Sequence, residues 1–343
     1  MKKTLILLIS LFILFGICSC QNKSGKTVVL VTDESGLKDG YYNQLTYNGL
    51  KKAASEYGFN LVVETAKSAS DYDSVLKAAV ELTPDLIVIS NPDMESEAVA
   101  YAKNYASLNF VFVECNGDLN LDGYQDSNNI YSIRFDQSEE GFLSGIAAAS
   151  IATDHVAFVG TNEFNTYIEY ESGFRAGVKT INPNTTVDVT YIKESDDMQS
   201  VHDQVSQMIQ NGVQAIYTLN ENEGLYQAAQ DYGIPVIIAD YNYKDKLKNG
   251  SKSIVFVVDK KIDQAVYLVV SDYFNGLYKG QIKKFAYSDE CLSYEVLNHS
   301  TINSNTESTL NAWVTQLKNN AFSVPATRAA FNSFVPPQLP AQE

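Results

Sequence analysis

Short apolar runs rich in β-branched residues alternate along this chain with longer stretches whose apolar positions recur at helical spacing, and this alternation limits the fold more than any other feature. The runs lie at 27–32, 60–64, 86–90, 110–114, 156–160, 186–192, 215–219 and 235–240. The amphipathic stretches lie at 44–57, 70–82, 96–105, 138–152, 167–181, 198–211 and 223–232. Apolar strands joined by helices predict parallel sheets built from βαβ units. The pattern occurs twice. Ala54-Ser55-Glu56-Tyr57-Gly58-Phe59 is echoed by Gln230-Asp231-Tyr232-Gly233-Ile234, each with a glycine just past a helix, where a left-handed residue closes the last turn. A chain of 343 residues, 45% hydrophobic, can fill two such cores, so the expected architecture is α/β in two lobes. Further on, 253–258 and 262–274 read as one more strand and helix, 283–287 with 292–296 as a hairpin, and 307–320 as a last helix. Pro325, Pro336, Pro337 and Pro340 follow, and the end of this tail is expected to be poorly ordered.

The first residues have a different character. Lys2 and Lys3 precede an apolar run from Leu5 to Ile17, and small Ser19 precedes Cys20, the pattern of a secretory leader with its cleavage site. The run is short for a membrane span. Ile17-Cys18-Ser19-Cys20 resembles the bacterial lipobox, in which the cysteine after the small residue is acylated and becomes the mature N-terminus. Cys18 suits that role less well, because bulky Ile17 would stand before the cut. Residues 21–26 are polar and read as a tether.

The formal charge is −16, and −18 without Lys2 and Lys3, which repels phosphate backbones and argues against nucleic acid as a partner. Beyond the leader only Cys115 and Cys291 remain, with no zinc spacing and no metal site expected. One disulfide would fit an oxidising compartment, but two unrelated buried thiols are the preferred reading. His155, His202 and His299 lie in unrelated contexts, and HExxH, G-x-S-x-G, P-loop and G-x-G-x-x-G motifs are absent, so an enzyme is not expected. Glu139 and Glu140 are adjacent on a helix, point in different directions and are read as surface charge.

In a doubly wound sheet the ligand crevice lies at the carboxyl ends of the strands. The residues expected there are mostly acceptors: Asp33, Asn91, Glu114, Thr161, Asn162, Asn220 and Asp240. Such a ring suits hydroxyl and amine groups better than phosphates, although Asp and Asn also favour loops and helix caps.

The order of motifs resembles the basic membrane protein family, the purine nucleoside receptor-like lipoproteins. The resemblance starts in Val31-Thr32-Asp33-Glu34-Ser35-Gly36-Leu37-Lys38-Asp39-Gly40-Tyr41-Tyr42-Asn43-Gln44 and in Gly49-Leu50-Lys51-Lys52-Ala53. It continues through Pro84-Asp85-Leu86-Ile87, Glu139-Glu140-Gly141-Phe142-Leu143-Ser144-Gly145 and Gly173-Phe174-Arg175-Ala176-Gly177. Val236-Ile237-Ile238-Ala239-Asp240 and Lys260-Lys261-Ile262-Asp263-Gln264 complete it. The resemblance implies a type I periplasmic binding fold, two Rossmann-like lobes joined by a hinge, with no cofactor. It implies two partners, a small-molecule ligand, commonly a purine nucleoside, and an ABC permease in the cytoplasmic membrane. Carried over by position, Tyr42 stands where an aromatic ring stacks on the base, and Asp33 and Asn43 where polar groups bond the purine edge. Glu114 replaces an aspartate, Tyr170 matches a second aromatic position, and Asp240 and Lys260 match residues that hold ribose hydroxyls.

The sequence departs from the family pattern in three places. Leu219-Asn220-Glu221-Asn222-Glu223-Gly224 replaces a glycine-rich turn, Ser35 and Tyr41 replace a glycine and a serine, and Glu114 is longer than the family's residue. A receptor for another polar small molecule such as a sugar, or a surface sensor or adhesin with a degenerate pocket, therefore stays open. The expected organisation is a leader at 1–19, a lipidated tether at 20–26, an N-terminal lobe at 27–137 and a C-terminal lobe at 138–260. Hinge crossings and elements completing both lobes occupy 261–324, and the tail 325–343.

Overall fold

The structure is a computed structural model that describes residues 25–193, 195–239 and 252–340. Its first sheet has six parallel strands, β1 (Thr27–Thr32), β2 (Asn60–Thr65), β3 (Leu86–Ile89), β4 (Phe110–Val113), β5 (Ile130–Phe135) and β11 (Gln281–Phe285), in the order β11-β5-β4-β3-β1-β2. The second contains β6 (His155–Gly160), β7 (Thr186–Tyr191), β8 (Ile216–Thr218), β9 (Val236–Ala239), β10 (Ile254–Lys260) and β12 (Leu292–Val296), in the order β12-β10-β9-β8-β6-β7. Among the described strands only β12 runs antiparallel to its neighbour. The alternating pattern thus produces two doubly wound lobes, as expected. The left-handed caps are present too, with φ of 71° at Gly58 and 68° at Gly233.

Helices cover both faces of each sheet. α1 (Tyr42–Tyr57), α2 (Tyr72–Glu81) and α3 (Glu95–Asn104) follow the first strands, and α4 (Gln137–Ile151) leads into the second lobe. There α5 (Asn165–Ile181), α6 (Met198–Gln210) and α7 (Glu223–Tyr232) repeat the arrangement. α8 (Ile262–Phe274) returns to pack on α1, so closely that a methyl group at Gly49 would lie 2.4 Å from the Asp263 carbonyl oxygen. α9 (Ser304–Lys318) lies on α4. One face of each sheet has its own apolar cluster, around Ile87 and Phe112 in the first lobe and Val159 and Ile238 in the second. The other faces join in one cluster through both lobes that includes Phe142, Phe174 and Trp313.

Three details differ from the sequence reading. β5 escaped it because Ser132 and Arg134 interrupt the apolar run, yet Ser132 is fully buried and donates to the Asn116 carbonyl at 2.9 Å. The expected hairpin does not form. β11 extends the first sheet beside β5, and β12 extends the second beside β10, because each sheet has an open edge to satisfy whereas an isolated hairpin buries little. Finally, the tail is held in place through its described residues. α10 (Arg328–Asn332) lies on α5, where Arg175 packs 4.3 Å from the Phe331 ring centroid and Lys179 donates to the Phe334 carbonyl at 2.8 Å. Its prolines interrupt helix without preventing docking.

The chain crosses between the lobes after β5, after β10 and between β11 and β12. Backbone bonds tie these crossings together, Asp136 N to Phe285 O at 2.8 Å and Lys261 N to Cys291 O at 2.8 Å. Cys115 and Cys291 are free thiols. Burial pushes both up, Cys291 to about 12.

Candidate functional site

Asp33, Glu114, Asn220 and Lys260 lie at or just after the carboxyl ends of β1, β4, β8 and β10, Tyr42 and Asn43 open α1, and Tyr170 lies within α5. Asp33 follows β1, the sheet's switch point. Its Oδ1 accepts from the Asn43 side chain at 2.7 Å and from Ser35 N at 2.8 Å, and the Asn91 amide donates to Oδ2. The Asn43 carbonyl in turn accepts from Ser90 Oγ, which also donates to Val31 O at 3.0 Å. Asn43 is fully buried, so it aims Asp33 from behind. Asp39 anchors this turn by accepting from Asn43 N at 2.7 Å and Gln44 N at 2.9 Å, two of the orphan donors of α1. Tyr42 opens α1, half-buried, with its ring 4.7 Å from that of Tyr41 in an edge arrangement.

Glu114 follows β4 and Lys260 ends β10, yet their side chains meet at 3.0 Å across the two lobes, with 7% and 3% of each exposed. The Lys260 ammonium also lies 5.6 Å from the Phe135 ring centroid and 5.8 Å from that of Tyr170, within cation–π range. Glu114 Oε1 has no hydrogen-bond partner among the described residues and remains an acceptor. Tyr170 is held by the α4–α5 contact, in which a methyl group at Gly141 would lie 2.2 Å from the Tyr170 carbonyl oxygen.

Asn220 follows β8 but turns inward. It is fully buried, its amide donates to Ile192 O, and its carbonyl accepts from Asn222 N at 2.8 Å. Asn222 then caps α7 by accepting from Gly224 N at 2.9 Å. The unusual stretch after β8 thus builds its own wall, and these two amides turn into the loop. Asp240 and Cys20 lie outside the described residues.

Glu139 and Glu140 are not surface charge. Glu139 is 8% exposed and Glu140 fully buried at the start of α4, beneath the lobe crossing. Glu139 accepts from Tyr287 N at 2.9 Å, linking two crossings, and burial pushes its carboxyl up to about 7 against the pull of that amide. Adjacency on a helix could not reveal this, because the burying elements come from residues far along the chain.

The crevice therefore combines oriented acceptors, aromatic rings from both lobes and one lysine already facing a carboxylate. That set suits a polar, largely uncharged molecule carrying hydroxyl or amine groups.

Comparison with known proteins agrees with this fold. The profile of the Bmp family, described as "ABC transporter substrate-binding protein PnrA-like", matches residues 26–327. The chain belongs to the Bmp family. A protein of Listeria monocytogenes named CD4+ T-cell-stimulating antigen is 30% identical over 205 residues, covering 57% of this chain and 55% of that protein. The Lactococcus lactis protein named ABC transporter nucleoside-binding protein BmpA is 28% identical over 174 residues, covering 49% and 48%. This chain thus spans about half the length of these curated relatives. Basic membrane protein A of Borreliella burgdorferi is 20% identical, with 98% of this chain and 99% of that one covered. Among solved structures, an ABC transporter solute-binding protein from Aeropyrum pernix superposes with a TM-score of 0.64 at 19% identity, covering 90% and 96%. It has the same fold, that of periplasmic binding proteins of type I.

Proposed function

We propose that this Bmp-family protein is a lipid-anchored, extracytoplasmic receptor that binds a purine nucleoside-like ligand between its lobes and presents it to an ABC permease. The observation that carries this reading is Asp33, held just past the end of β1 by Asn43 and Asn91 and standing nine residues before aromatic Tyr42 at the start of α1. A carboxylate beside an aromatic ring suits a purine, whose edge donates from its amines and whose face stacks. Tyr170, Lys260, Glu114 and Asp240 are assigned to the sugar side, and Asn220 to the wall. The name of the Lactococcus lactis relative supports a nucleoside over a sugar. A ligand touching both lobes favours the closed arrangement by differential affinity.

Calorimetry tests the assignment. Tyr42→Ala should weaken adenosine or guanosine binding by about 1–3 kcal/mol, the usual effect of losing one stacked base, and Tyr42→Phe should bind nearly as wild type. The free base should bind wild type more weakly than the nucleoside, having no hydroxyls for Lys260 and Asp240. Equal affinities for all three proteins would remove Tyr42 from the site, and absence of nucleoside binding to wild type would remove the ligand class.

Among the described residues no helix is long and apolar enough to cross a membrane, and the proposed attachment is the acyl chain on Cys20. Cys20→Ser should move the protein from the membrane to the soluble fraction and abolish incorporation of labelled fatty acid. Unchanged membrane retention would refute the anchor.

A further inference from the structure

The contact between Glu114 and Lys260 needs no ligand. One residue follows a strand of the first lobe, the other ends a strand of the second, and the bond between them, 3.0 Å long, joins the two lobes. Both side chains are more than nine-tenths buried. The length of the glutamate matters here, because an aspartate would withdraw the carboxylate by one carbon–carbon bond, about 1.5 Å, beyond hydrogen-bond reach of the ammonium. The backbone at 114 is also held in a costly conformation. Its φ is +61°, in the left-handed region that non-glycine residues avoid, and it is fixed there by Glu114 N donating to Ile133 O at 2.8 Å and by Arg134 donating to Glu114 O. A second pair crosses the lobes in parallel, Lys284 of β11 to Glu169 of α5 at 2.7 Å, with 38% and 24% of the side chains exposed.

We propose that Glu114 and Lys260 form a latch that holds the two lobes together before any ligand arrives. The latch goes beyond the receptor reading, since it concerns the ligand-free protein and does not depend on what the crevice binds. A buried ion pair adds little to folding stability because desolvation offsets attraction. Its effect on lobe position is different. Opening the lobes separates the charges, whereas closing them pairs each with its partner, so the pair biases a two-state hinge without adding to the stability of either lobe. A ligand entering the crevice then meets a neutralised pair with one free acceptor, Glu114 Oε1, instead of a bare ammonium.

The experiment measures the distance between spin labels on the two lobes of the full-length protein in detergent, without ligand, at Tyr124→Cys and Phe164→Cys. Both positions are exposed, at 77% and 72%, and the native Cys115 and Cys291 are buried from the reagent. The otherwise unaltered chain should give a short-distance population. Glu114→Gln and Glu114→Asp should each lose most of it, and the charge-swapped double variant Glu114→Lys, Lys260→Glu should regain it. The short distance should persist in 1 M salt, since screening acts weakly on a buried pair, whereas a closure carried by exposed Lys284 and Glu169 would loosen. Circular dichroism verifies that each variant folds, and Glu114→Asp keeps the charge if the glutamine does not fold. A long distance in the otherwise unaltered chain, or an unchanged distance in folded Glu114→Asp, overturns the latch. The receptor reading fails or stands separately, because the distance is measured without ligand and nucleoside binding is read by calorimetry on the unlabelled wild type.

Discussion

Gly173→Ala is expected to lower the stability of the folded protein by about 3 kcal/mol, the upper part of the range for overpacking a tight interior. Helix propensity alone predicts the opposite, because alanine favours a helix interior over glycine by about 1 kcal/mol. The tertiary contact decides the sign. A methyl group at Gly173 would lie 2.0 Å from the Ser138 carbonyl oxygen and 2.8 Å from its carbon, and both are backbone atoms that cannot rotate away. Relief requires α4 and α5 to move apart. The neighbouring glycines would oppose the same helices, with Gly145 2.1 Å from Phe174 O and Gly177 2.1 Å from Phe142 O. These G-x-x-x-G pairs let the helices touch backbone to backbone, and that contact fixes the backbone at Tyr170. Urea unfolding with Ser150→Ala near the end of α4 as control, expected within about 0.5 kcal/mol of wild type, provides the measurement. A Gly173→Ala protein as stable as wild type would mean that the helices have room to separate.

The second large effect is expected from the tail. Glu171 on α5 is 1% exposed and accepts from Arg328 Nε at 2.9 Å and Nη2 at 2.6 Å, from Tyr191 at 2.7 Å and from Arg175 at 3.2 Å. Burial pushes its carboxyl upward, but Arg328, Tyr191 and Arg175 outweigh that and hold it below the usual carboxylate range. The Arg328 side chain is 41% exposed, so water offsets part of the loss, and because Arg175 and Tyr191 remain, Arg328→Ala should cost about 1–3 kcal/mol, the scale for leaving a buried acceptor short of a partner. The loss should depend on pH. In wild type the stabilisation is present above the unfolded carboxylate pKa, about 4.3, and disappears as pH falls through the lower folded value. In Arg328→Ala burial is less opposed, so the carboxyl shifts upward and its protonation relieves the defect in acid. The difference between the two proteins should therefore be largest near pH 7 and shrink toward pH 3. Adding Glu171→Gln to Arg328→Ala should restore much of the loss. A pH-independent difference, or one below about 0.5 kcal/mol at neutral pH, would show that the tail contact is surface decoration.

The places of the candidate residues in the fold were easier to read than their connections. Asp33, Glu114 and Lys260 stand at or just after strand ends, and Asn43 in the first turn of α1, because the spacing of strands and glycines is a local property of the chain. That Asn43 faces backward to Ser90 and Asp33, or that Asn220 turns into its own loop, depends on which loops meet, and no local pattern carries it. Likewise Asp39 looked like part of a motif and serves as the anchor of α1. The tail prolines lead to an expectation of poor order at its end and say nothing of Arg328 finding Glu171, 157 residues earlier.

By itself the sequence determined the fold class, the two-lobe repeat, the left-handed caps at Gly58 and Gly233 and the family, because periodicity, turn chemistry and motif order are all short-range signals. Only the tertiary structure decided the assignment of β11 and β12 to different sheets, the burial of Glu139 and Glu140, the pairing of Glu114 with Lys260 and the docking of the tail. Each of these rests on contacts between residues distant in the chain, where the energy comes from desolvation, edge pairing and charge complementarity that exist only once the lobes are assembled.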